Sequence, residues 1–197
     1  MSRLPIQLNF PAFPELETAN LYLRRITEAH VADLFEMRSN PEVMRFIPRP
    51  LAKEHQDVRN LIAMIDEGYE AHERINWGMI DKETGKLIGT IGFVRNKPED
   101  FRGEIGYMLH PDFRGRGLMH EAMEKVLQFG FEHIRYHSIE GVVDPENKSS
   151  VMVLERSGFV REAHFREHQY YEGRFLSSYY YSLIHPGERQ GLDMGHD

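Results

Sequence analysis

The pattern of hydrophobic and polar positions along the chain predicts a mixture of strands and helices. Alternation with a period of two predicts strands at residues 21–26, 75–80, 86–94, 104–110 and 138–143. Apolar positions three and four residues apart predict helices at residues 27–37, 53–72, 117–135 and 148–156. Residues 159–171 and 175–184 are predicted to form a terminal hairpin that turns at Glu172-Gly173.

The order of these elements predicts the connections of the sheet. Short polar turns join the strands at 75–80, 86–94 and 104–110, which are therefore expected to form an antiparallel meander. The helix at 117–135 separates the strands at 104–110 and 138–143, and such a crossover implies that these two strands are parallel. The prediction is an α/β (α+β) fold with a mixed, mostly antiparallel twisted sheet of about seven strands and about four helices.

The length of 197 residues suits one domain with a sizeable core. Residues 1–15 are rich in proline and are expected to be an irregular lead-in. Residues 16–185 are expected to form the domain, and residues 186–197 a flexible polar tail. The two helices that precede the meander are expected either to pack on the core or to cover a substrate as a lid.

The stretch at residues 103–123, GEIGYMLHPDFRGRGLMHEAM, places a glycine-rich turn between a strand and a helix. The first N–H groups of a helix have no intrahelical partners, and the helix dipole attracts anions to that end. Gly115 and Gly117 would allow a phosphate to approach the backbone, and Arg114 and Arg116 add positive charge. The turn therefore predicts a phosphate or pyrophosphate seat, with simple helix punctuation as the alternative. It lacks the Lys-Ser/Thr pair of a Walker loop, and His120 replaces the third glycine of a dinucleotide fold.

Composition narrows the classes of function. The chain has 24 Lys+Arg and 31 Asp+Glu, a formal net charge of −7, which argues against a nucleic-acid-binding surface and slightly favours a cationic acceptor. The absence of cysteine excludes disulfides and a thiolate nucleophile, and the eleven histidines lack metal-ligand spacing, so no metal is expected. Without a membrane-length apolar run or a signal-peptide core, a cytoplasmic protein with no membrane partner is expected.

Several short motifs occur in a fixed order along the chain. They are Leu16-Glu17-Thr18, Asn40-Pro41-Glu42-Val43-Met44, Gly103-Glu104-Ile105-Gly106-Tyr107, His110-Pro111, Arg114-Gly115-Arg116-Gly117, Glu121-Ala122, Asn147, Ser150, Val153-Leu154-Glu155 and Gly158-Phe159. With these motifs, residues 16–185 resemble the GNAT superfamily of acyl-CoA-dependent N-acetyltransferases. The resemblance is closest to the RimJ/RimL-type branch, which acetylates N-terminal amines of ribosomal proteins and, in relatives, small amines. One position departs from the pattern, because Met119 stands where the family's turn usually has a small residue.

The resemblance implies a GNAT fold with acetyl-CoA as co-substrate, and with the parallel strands splayed apart. The pantetheine arm would pair with the freed strand edge, and a backbone N–H near Leu109 would face the thioester oxygen. Asn147 would hydrogen-bond the arm, although a helix cap is an alternative role for it. The implied cofactor-binding residues are Tyr107, Met108, Leu109, Arg114, Gly115, Arg116, Gly117, Leu118, Met119, His120 and Asn147.

Two residues are predicted to be catalytic. Glu104 shares a strand face with Gly106 and Met108 and is predicted to be the general base, with Glu140 as a competitor and a solvated strand carboxylate as the plain alternative. Ser150 aligns with the branch's serine and would hydrogen-bond the departing thiolate, with helix capping as its alternative role. Tyr107 is the fallback acid, because Leu154 stands where many GNAT enzymes have a tyrosine.

The predicted function is acetyl transfer to a primary amine, on a protein N-terminus or a small molecule, by direct attack in a ternary complex. An acyl-CoA-binding sensor with little turnover is the alternative on the same fold, and an unrelated phosphate-binding α/β domain is a third reading. The aromatic C-terminal hairpin is expected to pack across its strands, with a pocket wall or dimer surface as alternatives. The protein is expected to be a monomer or a homodimer.

Overall fold

The computed structural model describes residues 4–188, which contain a single mixed sheet. Its strands are β1 (Leu16–Glu17), β2 (Leu21–Arg24), β3 (Ile75–Asp81), β4 (Leu87–Lys97), β5 (Arg102–Leu109), β6 (Ser138–Val143), β7 (Val160–Tyr171) and β8 (Arg174–Ile184). The helices are α1 (Val31–Arg38), α2 (Pro41–Met44), α3 (His55–Glu70), α4 (Leu118–Phe129) and α5 (Lys148–Arg156). The end of the predicted tail, residues 189–197, lies outside the described residues.

The eight strands are ordered β1-β2-β3-β4-β5-β6-β8-β7, and every neighbouring pair except β5–β6 is antiparallel. The predicted fold class, meander, crossover and terminal hairpin are therefore confirmed. The additional strand is β1, which is two residues long and too short for alternation to indicate it. Within residues 4–188, no helix is both long and apolar enough to cross a bilayer.

Two helical predictions need correction. No helix was predicted at residues 41–44, but the Asn40-Pro41 pair begins α2: Asn40 Oδ1 accepts from the Glu42 N–H (2.8 Å), and Pro41 occupies the first helical position. The helix predicted at 117–135 is α-helical only to Phe129 and continues as a π-helical turn, Gly130–Ile134. Arg135 then adopts a left-handed φ of 72°, which turns the chain toward β6.

The sheet separates two hydrophobic cores. Trp77, Phe93 and Phe129 belong to the larger core, which is continuous with α4 and α5. Leu34 and Val58 belong to the smaller core, beneath α1 and α3. Side chains alternate between the faces of a strand, so a residue's position in β5 determines which core it faces.

The parallel strands β5 and β6 part halfway along their length. Their pairing covers only four residues of each strand and ends at Ile105 with Gly141. Beyond that point β5 stays paired with β4 as far as Leu109, while β6 stays paired with β8 as far as Val143. The predicted splay is therefore present, and it leaves an opening inside the sheet.

A close backbone contact fixes β5 beside the opening. A Cβ added at Gly89 of β4 would lie 2.6 Å from the backbone oxygen of Met108 and 3.0 Å from the sulfur of Met79. The nearer atom belongs to the backbone and cannot move without displacing β5. Glycine at this position therefore allows β4 to hold β5 at the opening.

We expect Gly89→Ala to lower the free energy of unfolding by about 1–3 kcal/mol, because the added methyl group overpacks a backbone contact. Urea denaturation of the two proteins measures this difference. Gly85→Asn is the matched control, because Gly85 has open space around it and a left-handed φ (71°) that asparagine tolerates. Equal losses in both variants would contradict the account of Gly89.

Candidate active site

A cavity of about 530 Å³ lies at the opening between β5 and β6. Its walls include Glu104, Gly106 and Met108 from β5. The opposite wall comes from the end of β6 and from the first turn of α5. The cavity has the size of a small-ligand site, and it contains both predicted catalytic residues, Glu104 and Ser150.

Glu104 presents a largely buried carboxylate to this cavity, with its side chain 15% exposed. Burial raises the pKa of the Glu104 carboxyl above its usual value; the positive charge of Arg95 opposes this rise, and the negative charge of Glu140 adds to it. Arg95 Nη1 lies 3.2 Å from Oε2 of Glu104. A carboxylate with a raised pKa is a stronger base than an exposed one, as proton abstraction requires.

The competing base, Glu140, lies beside Glu104 in the register of β5 and β6. Its side chain is 12% exposed, and its Oε2 atom lies 3.1 Å from Nε of Arg102. Glu140 is not among the described residues that line the cavity. Of the two candidate bases, Glu104 is therefore the one that faces the space where a substrate could bind.

The free edge of β5 presents backbone groups to the opening. The His110 N–H donates to the Ile88 carbonyl at 2.8 Å, so alternate residues of β5 direct their backbone groups toward β4. By this alternation the backbone groups of Met108 point toward β4, and those of Tyr107 and Leu109 point into the opening. Met108 was predicted to make backbone contacts with the cofactor, but its backbone groups face β4. Met108 lines the cavity with its side chain instead.

The Tyr107 side chain spans the opening on the α5 side of the sheet. Its hydroxyl donates to the backbone oxygen of Ser150 at 3.2 Å. Burial raises the pKa of the Tyr107 phenol well above its usual value, with the Ser150 contact opposing the rise. The phenol therefore keeps its proton at neutral pH and links β5 to the first turn of α5.

Asn147 and Ser150 begin α5 beside the cavity. Asn147 Oδ1 accepts from the Ser150 backbone N–H at 3.2 Å, which confirms the helix-cap role considered for Asn147. Ser150 takes part in this cap through its backbone N–H, so the helix-capping alternative for Ser150 holds for its backbone and not for its hydroxyl. Both residues line the cavity, and their roles toward a cofactor stay predictions.

The glycine-rich turn has the backbone shape of an anion seat. Gly115 and Gly117 have φ values of 76° and 78°, in the left-handed region that favours glycine, and a Cβ at either would meet open space. The Glu121 N–H donates to the Gly117 carbonyl at 3.0 Å, so the N–H groups of residues 118–120 precede the first intrahelical bond of α4. This geometry suits a phosphate group in front of the helix.

Met119, the departure from the family pattern, is 7% exposed and packs into the larger core with Leu118. Because the Met119 side chain is packed in the core, its sulfur does not crowd the turn. His120 bonds the hydroxyl of Ser157 through Nδ1 at 3.2 Å, which links the start of α4 to the end of α5. Leu118, Met119 and His120 would therefore contact a phosphate only through their backbone N–H groups. The side chains of Leu118 and Met119 pack in the core, and that of His120 contacts the end of α5.

The two arginines of the turn make surface ion pairs. Arg114 donates to a Glu42 carboxylate oxygen at the start of α2, and Arg116 lies 3.5 Å from Glu83. Both arginine side chains are 44% exposed. Such pairs contribute about 0–1 kcal/mol, so a phosphate could compete for either guanidinium.

Sequence reasoning missed the residue that anchors this turn. Glu121 accepts from both the backbone N–H and the side-chain amide of Asn20, each at 2.8 Å. Burial acts against the Glu121 charge, but hydrogen bonds from Thr18 and Asn20 outweigh it, so the pKa of Glu121 falls below its usual value. The motif Glu121-Ala122 was the available signal, but the partner lies 101 residues away in sequence.

The fold and the site combine an α/β sheet, a largely buried carboxylate at a parted strand pair and a glycine-rich turn before a helix. The sequence profile of the acetyltransferase (GNAT) domain matches residues 20–160, so the chain belongs to the GNAT family of acyl-CoA-dependent N-acetyltransferases. The uncharacterized N-acetyltransferase YoaA of Bacillus subtilis (strain 168) is 32% identical over 176 residues, which cover 89% of this chain and 99% of the relative.

Relatives of the ribosomal-protein branch are also found. The ribosomal protein uS5 alanine N-acetyltransferase of Escherichia coli (strain K12) is 25% identical over 126 residues, 64% of this chain and 65% of that protein. A solved structure of RimL, a ribosomal alpha-N-protein acetyltransferase in complex with coenzyme A, has a TM-score of 0.79 at 17% identity. It covers 87% of this chain and 98% of the RimL chain, and at that identity it supports the fold. Among residues 4–188, no group of three His, Asp or Glu side chains is arranged to hold a metal ion.

We expect Gly117→Val to raise KM for acetyl-CoA by about tenfold or more, because a branched side chain in front of α4 displaces the phosphate from the N–H groups. Steady-state kinetics with varied acetyl-CoA measures the change. Gly173→Val is the matched control, since Gly173 also has a left-handed φ (83°) and open space but lies in the β7–β8 turn. A similar rise in KM for both variants would assign the effect to backbone strain rather than to the seat.

Proposed function

We infer that the protein transfers an acetyl group from acetyl-CoA to a primary amine by direct attack in a ternary complex. The observation that carries this proposal is the position of Glu104. Its buried carboxylate faces a cavity at the point where β5 and β6 part. A base at this position can remove a proton from an amine bound beside the open strand edge.

Three features support the binding of acetyl-CoA. The turn at 114–117 and the N–H groups of residues 118–120 would hold the pyrophosphate. The backbone groups of Tyr107 and Leu109 face the opening and would pair with the amides of the pantetheine arm, as an added strand does. Asn147 lines the same cavity and would hydrogen-bond that arm. When bound, acetyl-CoA supplies the activated acetyl thioester.

In the proposed reaction, Glu104 accepts a proton from the acceptor ammonium, directly or through a water molecule, and the freed amine nitrogen forms a bond to the acetyl carbon. The Leu109 N–H stabilises the charge that develops on the carbonyl oxygen. The carbon–sulfur bond breaks and the thiolate leaves. The nitrogen gives its second proton to this thiolate, which yields the amide and the free thiol of coenzyme A, and Glu104 returns its proton to solvent. The Ser150 hydroxyl hydrogen-bonds this thiolate, and Tyr107, which keeps its proton, is the alternative donor.

The acceptor is proposed to be the N-terminal amine of a protein or a small primary amine. The name of the Escherichia coli relative, an alanine N-acetyltransferase acting on a ribosomal protein, supports the first. The cavity is bounded by α1, α3 and the β7–β8 hairpin, so it encloses an amine-bearing end rather than an extended strand of substrate. The two helices before the meander pack on the smaller core, to which Leu34 belongs, and Leu34 also lines the cavity, so they would cover an acceptor bound there.

Thiol release from acetyl-CoA in the presence of an amine panel tests the proposed function. Peptides with free N-termini, polyamines, aminoglycosides and amino acids form the panel, and the product is identified by mass spectrometry. We expect amine-dependent thiol release with an acetylated product. Binding of coenzyme A without release on any amine would favour the sensor, whose support from Met119 is weakened because that side chain is buried.

We expect Glu104→Gln to lower kcat by about 100-fold or more while KM for acetyl-CoA stays unchanged, because the amide cannot accept the proton. The deficit should shrink as pH rises through about 8, where an α-amino group loses its own proton. The pH profile of kcat for both proteins measures this. Glu99→Gln removes an exposed carboxylate outside the cavity lining and is the control. A deficit that is the same at every pH would exclude Glu104 as the base.

A further inference from the structure

Arginines are frequent in the lining of the cavity at the opening between β5 and β6. Arg38, Arg49, Arg74 and Arg95 line it, together with two carboxylates, Glu104 and Asp144. This lining brings together the end of α1, the loop after α2 and the strands β3 to β5. Positive groups therefore outnumber negative groups around the proposed amine site.

A second cavity of about 320 Å³ continues from the first, since both are lined by residues 46–49, Asp144 and Leu176. Arg45 and Arg174 also line it, with Glu172. Among the described residues, the two cavities together are lined by six arginines and three carboxylates. The formal charge of the whole chain is −7, so this positive lining is a local feature rather than a reflection of composition.

The carboxylates of the lining already have partners. Glu104 is in contact with Arg95, 3.2 Å away. Asp144 Oδ1 accepts from the Glu146 N–H at 2.8 Å and holds the turn before α5. Glu172 is hydrogen-bonded to the side chain of Tyr171. Within residues 4–188, neither Asp144 nor Glu172 forms an ion pair with an arginine of the cavities.

Arg38 and Arg74 have no carboxylate within ion-pair distance among residues 4–188. The Nε atom of Arg74 is buried without a hydrogen-bond partner, and its stem packs against Gly68 of α3. Burial and the like charge of Arg49 both lower the pKa of the Arg38 guanidinium, which nevertheless stays charged at neutral pH. Arg38 and Arg49 are therefore two like charges that influence each other in a partly buried site, and an anion between them would stabilise both.

The phosphates of acetyl-CoA are poorly placed to be this anion. Their proposed seat is the turn at 114–117, whose arginines pair with Glu42 and Glu83. Neither Arg114 nor Arg116 lines either cavity. The arginines of the cavities therefore point to a second anion, on the acceptor itself.

We propose that the acceptor amine carries a carboxylate, which Arg38 and Arg49 bind in the cavity that Glu104 also lines. The inference rests on the proposed acetyl transfer and names its substrate class: an acidic peptide N-terminus or a free amino acid. Guanidinium groups bind carboxylates through paired, charge-assisted hydrogen bonds, and their planar shape fixes the orientation of the ligand. A carboxylate-bearing acceptor is the opposite of the cationic acceptor that the net charge alone favours.

The test compares acceptors that share an amine and differ in the charge of the groups around it. The peptide amides Ala-Asp-Ala, Ala-Asn-Ala and Ala-Lys-Ala have the same acceptor amine, and glutamate with its diamide forms the small-molecule pair. We expect kcat/KM to be about 10- to 100-fold higher for the aspartate peptide than for the asparagine peptide, or for glutamate than for its diamide. The pair that shows the difference identifies the source of the carboxylate.

Arg38→Gln is expected to abolish this preference without changing KM for acetyl-CoA, and Arg38→Lys to restore part of it. Arg59→Gln is the matched control, because Arg59 pairs with Glu28 on the outer side of α3 and does not line the cavities. Thermal stabilisation of the coenzyme A complex by each acceptor gives a second readout that does not need turnover. It should follow the same order of acceptors.

The two proposals fail in different ways. Thiol release that is equal for charged and neutral partners of both pairs, or faster with the lysine peptide, overturns the carboxylate proposal and leaves acetyl transfer intact. An Arg38→Gln effect confined to KM for acetyl-CoA also overturns it, by assigning the arginine to the cofactor. Stabilisation by the aspartate peptide without release on any amine supports the carboxylate site and contradicts the proposed transferase activity.

Discussion

The parting of β5 from β6 is the constraint on which the site depends. Four residue pairs join the two halves of the sheet, and beyond Ile105 and Gly141 each strand keeps only its outer neighbour. Hydrogen bonding across the pair would leave no opening between Glu104 and the start of α5. Instead, backbone groups of Tyr107 and Leu109 face the opening without strand partners, and such groups favour a ligand that supplies amides.

The electrostatics of the protein depend on burial more than on composition. Exposed ion pairs such as Arg114 with Glu42 are worth little and can be exchanged for a ligand. The same chemistry inside the cavity has larger consequences, because burial raises the pKa of Glu104 and leaves Arg74 with a buried Nε that has no hydrogen-bond partner. A net charge of −7 therefore gives no guide to the charge around the acceptor.

Much of this architecture can be predicted from the sequence, because local periodicity is strong in the long elements. The alternation in β3, β4 and β5 and the helical spacing in α4 indicated the meander and the crossover correctly. The two-residue β1 and the single turn of α2 are too short for a period to register, and the π-helical end of α4 leaves the apolar spacing almost unchanged.

The residues of the candidate site also differ in whether the sequence could indicate them. The sequence could bring Glu104 and the glycine turn together because they lie in one continuous stretch of strand, turn and helix, whereas Asn147 follows β6 and was selected by the family resemblance. The arginines of the cavities could not, since they come from the end of α1, the loop after α2, the segment before β3 and the two strands β4 and β8. Their association depends on tertiary packing, and no spacing along the chain encodes it.

The alternation of β5 explains how one strand could serve two substrates. Its even-numbered residues Glu104, Gly106 and Met108 line the cavity below α1 and α3, whereas Tyr107 and Leu109 pack against the larger core, and Tyr107 also borders the cavity. In the proposed reaction the acceptor meets the first set and the acetyl donor meets the backbone of the second. Direct attack needs both ligands to be bound at the same point of the strand at the same time. The opening between β5 and β6 connects the two faces of the sheet and allows this. Side chains around the acceptor cavity could then change, and with them the acceptor, while the backbone groups that hold the donor stay as they are.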